Sequence, residues 1–321
     1  MHSILTAIPA RTMKNIKIPK IVVICGPTGI GKTAVGIRLA KRFYGEILSA
    51  DSMLIYRYMD IGTAKPSIEE RTQIPHHLID IVDPDESFNA AAYSRISREI
   101  VFQLQDKGIP PFVVGGTGLY IKAMIHGLFR STPPDPEIRL SLKKEVESSG
   151  LHTLYERLKV LDPESAGRIH PHDAFRIIRA LETFMLTGKT ISSHHQRHRF
   201  SEDFFKVLKI GLIRPRDLLY HHINVRVDRM MEMGFLKEVE GLLKKGFSPD
   251  LKSMQSIGYR HLVEFIGGNG SMEEATEKLK RDTRRFAKRQ LTWFRADPEV
   301  IWKSPENMDE IEKMIESFFN L

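Results

Sequence analysis

"VVICGPTGIGKTAVGIRLA", residues 22–40, decides the fold. The apolar run Ile21 to Ile24 gives way to a glycine-rich turn and then to an amphipathic stretch that continues through Leu39, the order strand, turn, helix. Gly26, Gly31, Lys32 and Thr33 fit the spacing G-x-x-x-x-G-K-[ST] of a phosphate loop. In that geometry the backbone of Gly26, Pro27, Thr28, Gly29, Ile30, Gly31, Lys32 and Thr33 surrounds an anion. The helix N-terminus points at it, Lys32 adds a mobile positive charge, and the Thr33 hydroxyl can sit on Mg²⁺. The motif specifies a polyphosphate and does not distinguish ATP from a diphosphate.

Working outward, "GEILSADS" is a short apolar run ending at Asp51 and Ser52, and "PPFVVGGTGLY" is another ending at Gly115, Gly116 and Thr117 before a helical stretch. Strands alternating with helices behind a phosphate loop predict an α/β fold. It is a P-loop NTPase-like, doubly wound parallel sheet with ligands at the carboxyl ends of its strands. Asp51 and Thr117 then face the same crevice as the phosphate loop.

The pattern changes near "STPPDPEIR", residues 131–139. To about residue 200 the chain is helical in period, with "LHTLYERLKVLDPESAGRI" and "DAFRIIRALETFMLTGK" as its clearest helices and no strand-like run. "FKVLKIGLIRP", residues 205–215, reads as a returning strand. The expected organisation is a flexible tail over 1–20, a P-loop core over 21–130 and 201–321 with helical C-terminal elements, and an all-helical insertion over 131–200. In the last third, "KLKRDTRRFAKRQLTWFR" places Leu279, Phe286 and Trp293 seven residues apart, with Ala287 and Phe294 beside them, as one apolar stripe. Arg281, Arg284, Arg285, Lys288 and Arg295 occupy the remaining surface, with Asp282 as the one acid. A basic face so poor in acid points to phosphate contacts.

The 321 residues carry 48 Lys and Arg against 40 Asp and Glu, a formal charge of +8, which suits an anionic partner such as nucleic acid. The single cysteine, Cys25, excludes an internal disulfide and a cysteine-based zinc module and points to a reducing compartment. No apolar run approaches the roughly 18 residues of a membrane span. The acid-free N-terminal segment has no secretory pattern, and Met1 and Met13 both fit as the true start. The expectation is a cytoplasmic monomer without membrane attachment.

Three carboxylates compete to act beside the phosphates. Asp51, Asp80 and Asp83 each fit an indirect Mg²⁺ role, and Asp51 also fits a general base. His194, His195 and His198 include an i, i+4 pair, but no Glu or Cys accompanies them at zinc-ligand spacing, so a polar linker is expected there, as for His76, His77, His221 and His222.

"GPTGIGKT", "LSADSMLIYRYMDIGTAKP", "PHHLIDIVDP", "VVGGTGLY", "SIGYRH" and "RDTRRFAKRQLTWFR" occur in this order and at about these separations in one family. The chain resembles the tRNA dimethylallyltransferases from residue 21 to about 303, the most specific segments being that with Asp51, Asp60, Gly62, Thr63 and Pro66 and the closing "TRRFAKRQLTW". The resemblance implies that Gly26 to Thr33 hold the diphosphate of dimethylallyl diphosphate, with Thr33 helping to hold Mg²⁺, so that the phosphates depart as pyrophosphate. It implies transfer of the dimethylallyl group to the exocyclic amine of the adenosine 3′ of the anticodon, in tRNAs reading codons that begin with U. Asp51 becomes the general base, with Lys32, Thr33 and Arg226 the other catalytic residues. Asp51, Ser52, Met53, Leu54, Thr117, Arg139 and the run Phe175, Arg176, Ile177, Ile178, Arg179 become tRNA contacts, the last five in the insertion that grips the anticodon stem-loop. Arg285 and Lys288 join them as phosphate contacts on the basic helix. The family often reads Arg-Ile-x-x-Arg where this chain has His222-Ile-Asn-Val-Arg226. A bacterial type, without the C-terminal zinc finger of eukaryotic relatives, is also implied.

Three other functions fit parts of the sequence. A small-molecule P-loop kinase explains the phosphate loop and Asp51 but leaves the basic helix without a role. A prenyltransferase acting on free adenine nucleotide needs neither that helix nor the insertion. A non-enzymatic nucleic-acid binder does not need a phosphate loop beside a carboxylate.

Overall fold

The computed structural model describes residues 18–127, 135–198 and 204–321. The tail expected over 1–20 therefore lies largely outside the described residues. Two compact units are present: residues 1–125 with 204–321, and residues 126–203. The second begins five residues before the composition shift at 131.

The first unit opens with β1 (Lys20–Cys25), α1 (Lys32–Arg42), β2 (Glu46–Ser49), α2 (Ile68–Gln73), β3 (His76–His77), α3 (Ala90–Asp106), β4 (Pro111–Gly115) and α4 (Gly118–His126). The second holds α5 (Pro136–Ser149), α6 (Leu151–Leu161), α7 (Pro163–Arg168), α8 (Ala174–Thr187) and α9 (Ile191–His198). The chain returns to the first with β5 (Lys206–Leu212), α10 (Arg216–Glu232), α11 (Phe235–Lys244), α12 (Tyr259–Ile266), α13 (Met272–Arg295), β6 (Ile301–Lys303) and α14 (Met308–Phe319).

The six strands form one parallel sheet in the order β3-β2-β4-β1-β5-β6. Because β4 is inserted between β1 and β2 while β5 pairs on the other side of β1, the chain reverses its direction of winding next to β1. A crevice opens at such a point. Cys25 is level with both Gly115 and Gly211, and Ser49 pairs with Val114. The residues that follow each of these strands therefore emerge along one edge. Val22, Ile24, Phe112, Val114, Ile210 and Leu212 are buried with residues of α1, α10 and α14 in one core. The central strands are apolar on both faces, as a sheet covered by helices on each side requires.

β3 and β6 were not evident from sequence, since two- and three-residue edge strands carry too little periodicity to read. The stretch 151–169, expected as one helix, breaks at Asp162. Its carboxylate accepts the Ser165 N–H as the cap of α7, and Pro163 at the first helical position ends α6. Among the described residues, the second unit is wholly helical and packs its own core, including Leu142, Leu154, Leu158, Ile177 and Leu181.

Candidate active site

The phosphate loop joins β1 to α1. Gly29 has φ 78°, and a Cβ there would sit 2.7 Å from Ile223 Cγ1 of α10, so only glycine closes the turn. Gly31 occupies the cap position of α1 and supplies no side-chain acceptor. The N–H groups of the first turn are thus left for an anion. Lys32 Nζ donates to Pro27 O at 2.8 Å, which folds its side chain back over the loop. Some surface of Lys32 remains open to the cleft. Protein nevertheless surrounds its ammonium closely enough that burial pushes the pKa down to about 8, with the Asp51 carboxylate opposing and the Arg226 guanidinium adding.

Asp51 follows β2 on the same edge. Its Oδ1 accepts the Met53 N–H at 2.8 Å, fixing the carboxylate in a tight local turn. Its second oxygen has no hydrogen-bond partner among the described residues. Thr117, at the start of α4, accepts the Ser52 N–H at 3.0 Å and donates its own N–H to Ala50 O at 3.0 Å. The β2 and β4 turns are thereby locked together. Arg226 projects from α10 within reach of the Thr63 carbonyl, at 3.5 Å. Burial lowers its pKa and the Asp51 charge opposes that shift.

Two adjoining cavities meet at these residues. The larger, about 700 Å³, is lined by Gly29, Gly31, Lys32, Thr33, Leu54, His222 and Arg229, and the smaller, about 280 Å³, by Ser52, Met53, Thr117, Ile257, Leu279 and Arg289. Thr28, Asp51, Thr63, Arg226 and Phe286 line both. One chamber is ringed by cations beside the phosphate loop, the next is largely apolar, and a carboxylate stands at their junction.

Elements far along the chain hold this junction. Gln290 of α13 accepts the Thr28 N–H at 2.8 Å and donates to Gly116 O at 2.9 Å. A Cβ on Gly116 would lie 2.3 Å from the Gln290 amide nitrogen, so a side chain there would displace the amide that clamps the turn. The loop bearing Thr63 is held by Glu238 of α11. Its carboxylate accepts the N–H groups of Asp60, Ile61 and Gly62 at 3.0, 2.7 and 3.1 Å and the Tyr259 hydroxyl at 2.6 Å. Burial raises the Tyr259 phenol well above its usual range, and the Glu238 charge adds to this.

Several expectations change. Asp80 is bound by Lys65 at 2.5 Å and Arg71 at 2.6 Å, and Asp83 by Arg57 at 3.0 Å. These carboxylates neutralise cations of their own loop and line neither cavity, so Asp51 alone of the three faces the phosphate loop. The side chain of Ile30 is buried in the sheet core. Ile177 and Ile178 are buried at 0% and 8% exposure in the core of the second unit and offer no surface to RNA. Phe175, by contrast, is 73% exposed. Arg176 pairs with Asp173 at 3.3 Å, while Arg139 and Arg179 both bind the wholly buried Glu182, at 2.7 and 2.8 Å.

The apolar stripe expected on α13 holds at Leu279, Ala287 and Phe294 and departs at Phe286 and Trp293. Leu279, Ala287, Gln290 and Phe294 are buried, Phe286 lines the cavities and Trp293 is 45% exposed. The buried face also takes in the Gln290 amide, where the Gly116 turn approaches. Asp282 is bound by Arg260, His261 and Arg281. Burial raises its pKa, but these three hydrogen bonds outweigh that and hold it near about 2. Arg285 and Lys288 line neither cavity.

Gln290, Glu238, Phe286 and Arg229 are site residues that the sequence reading does not select: Phe286 counts there only as part of the apolar stripe, Gln290 lies in the closing motif without a role, and Glu238 gives no local signal. Among the described residues no group of three His, Cys, Asp or Glu side chains gathers to hold a metal, and the side chains of His195 and His198 lie outside the described set. The side-chain oxygens lining the cavity beside the phosphate loop include those of Thr33 and Asp51, with Thr28, Thr63 and Glu70, and no three acidic or histidine side chains among the described residues gather there as a metal-binding group. So sparse a set suits Mg²⁺, which keeps several waters and takes its other ligands from substrate phosphate.

A family model described as IPP transferase matches residues 54–297, and one described as Isopentenyl transferase matches residues 19–83. The chain is 52% identical over 301 residues to a tRNA dimethylallyltransferase of Desulfosudis oleivorans, covering 94% of this chain and 96% of that one. Against the tRNA dimethylallyltransferase of Geobacter sulfurreducens it is 48% identical over 301 residues, covering 94% and 97%. The full-length tRNA isopentenylpyrophosphate transferase from Bacillus halodurans superposes with a TM-score of 0.70 at 41% identity, covering 94% of this chain and 97% of that one. A eukaryotic dimethylallyltransferase acting on tRNA superposes with a TM-score of 0.77 at 27% identity, covering 91% and 75%.

Proposed function

The chain belongs to the IPP transferase family and is a tRNA prenyltransferase, and from that premise we propose which groups meet in its cleft and what each residue does. The donor is dimethylallyl diphosphate, with its diphosphate on the phosphate loop and its hydrocarbon toward the apolar chamber. The acceptor is the exocyclic amine of the adenosine 3′ of the anticodon, which must leave its stack to reach the junction. The observation that carries this reading is the position of Asp51: one carboxylate oxygen fixed by Met53, the other without a hydrogen-bond partner among the described residues, where the cationic and apolar chambers meet.

In this arrangement the amine nitrogen attacks the allylic carbon as the carbon–oxygen bond to diphosphate breaks. The Asp51 carboxylate takes the amine proton and pyrophosphate departs. Lys32, Arg226 and the first-turn N–H groups of α1 stabilise the charge that grows on the leaving group. Mg²⁺, when bound beside Thr33, supplies further neutralisation of that charge. The apolar chamber excludes water, which would otherwise capture the allylic carbon.

A kinase reading accounts for the phosphate loop and Asp51 but leaves the apolar chamber without a role, since a phosphoryl acceptor needs none. We further propose a cytoplasmic monomer; no helix among the described residues is long and apolar enough to cross a membrane. The test is incubation with Mg²⁺, dimethylallyl diphosphate and an anticodon stem-loop with three adenosines beside the anticodon, followed by mass spectrometry of the RNA. A gain of one dimethylallyl group is expected. No gain, together with ATP turnover on small acceptors, overturns the assignment.

A further inference from the structure

α10 lies against the phosphate loop, where a Cβ on Gly29 would meet Ile223 Cγ1 at 2.7 Å. On this helix His222, Arg226 and Arg229 stand at i, i+4 and i+7, one row of one face, and all three line the larger chamber with Lys32. The polar linker expected at His221 and His222 is therefore helix, and it delivers an imidazole to the cationic wall. The His222 ring is half-buried, lies 6.2 Å from the His221 ring centroid, and makes no hydrogen bond or ion pair among the described residues.

The charged groups around the ring leave it unclaimed. On α10 itself the exposed His221 lines the same chamber, and Lys32, Asp51 and Glu70 face it from the other walls. Asp51 is occupied by the Met53 N–H, and Glu70 by the Ser67 N–H in the cap of α2. Ahead of α14, Glu306 comes within electrostatic reach of His222, but that carboxylate is held by Arg214 and the Ser304 hydroxyl. From α13 the uncharged Phe286 and Gln290 line the chamber, while Arg284 is turned to Asn224 at 2.6 Å.

Arginine is charged whatever the ligand does, whereas the charge of a histidine ordinarily changes between pH 5 and 8. A polyanion entering this chamber therefore favours the protonated form of an imidazole that the protein leaves without a partner. We propose that His222 is a further ligand of the donor's diphosphate and that it binds as imidazolium, taking one proton from solvent as the diphosphate enters. This rests on the reading of the chamber as a diphosphate site. The ring N–H then donates to a phosphate oxygen, no covalent bond changes, and the proton returns to solvent when pyrophosphate leaves. Because the coupling is reciprocal, donor capture strengthens as pH falls through the histidine range. That window lies below the one set by Lys32, near about 8.

The experiment titrates the full chain, His222→Gln and His222→Arg with inorganic pyrophosphate and Mg²⁺ by calorimetry. Each titration is run near neutral pH in buffers of low and high ionisation enthalpy, so that the dependence of the binding heat on that enthalpy counts the protons taken up. Protons gained or lost by pyrophosphate and by Lys32 cancel between variants. The unaltered protein is expected to take up more protons than His222→Gln, and His222→Gln to bind about tenfold more weakly at about pH 6, the usual worth of a charged hydrogen bond. His222→Arg should keep the affinity and lose the extra proton. Equal proton counts in the unaltered protein and His222→Gln overturn the proposal. So does a proton lost only in His221→Gln, and so does a weakened His222→Gln whose affinity His222→Arg does not restore. No binding of pyrophosphate by the unaltered protein overturns the diphosphate reading and this inference with it, whereas binding without a His222 proton overturns the inference alone.

Discussion

Gln290 accepts the backbone N–H of Thr28 at 2.8 Å across 262 residues of sequence, and its other amide atom holds Gly116 O. A helix near the end of the chain thus sets the shape of the loop that opens it. Gln290→Ala leaves two backbone groups without partners and should cost about 1–3 kcal/mol. Gln290→Glu should be worse for donor binding, because a carboxylate oxygen would then face the Gly116 carbonyl. Urea unfolding and the KM for dimethylallyl diphosphate check both variants; equal KM values in all three proteins would refute the clamp.

Asp51→Asn keeps an oxygen for the Met53 N–H but cannot take a proton. The chemical step should slow by about 10²–10⁴-fold, the usual contribution of a positioned base, with stem-loop affinity little changed. Single-turnover transfer and filter binding separate the two quantities.

Lys32 supplies a pH dependence. Its pKa in the folded chain, about 8, lies below the ordinary value of 10.5. Between those values the unfolded chain binds more protons, so stability rises with pH across that window. Donor capture runs the other way, because the loop loses its ammonium charge above about pH 8. The expected result is that kcat/KM for the donor falls above pH 8, and that the fall disappears in Lys32→Arg, whose side chain stays charged.

Glu238 gathers three consecutive N–H groups and a phenol. Glu238→Ala should lower stability by about 1–3 kcal/mol and speed hydrogen exchange at Ile61 and Gly62. Slow exchange at both amides in the variant would show that the loop holds itself.

In the helical insertion, packing and contact roles separate by burial. Ile177→Ala should destabilise the protein by about 2–5 kcal/mol, as for a fully buried isoleucine. Phe175→Ala should leave stability within about 0.5 kcal/mol but weaken binding of the stem-loop. Thermal melts and stem-loop affinities of the two variants distinguish these roles.

The phosphate loop, Asp51 and the glycine turn at Gly115 and Gly116 were legible because their chemistry is local: each is a turn directly after an apolar strand. The insertion was visible as a loss of strand-like runs. On α13 the buried Leu279, Ala287 and Phe294 were legible as one stripe, whereas the burial of Gln290 and the exposure of Trp293 depend on packing against the glycine turns. Asp80 and Asp83 looked equal to Asp51 because their partners, Lys65, Arg71 and Arg57, are identified only by distance.

By itself, the sequence determined a parallel α/β sheet opened by a polyphosphate loop, a helical insertion and, through its ordered motifs, the family. Strand periodicity, glycine spacing and charge are properties of short segments, so they survive without coordinates. Only the tertiary structure decided which carboxylate faces the phosphates and that Gln290 and Glu238 hold the two loops. These are meetings of residues up to 262 positions apart, and they are fixed by how the helices pack on the sheet.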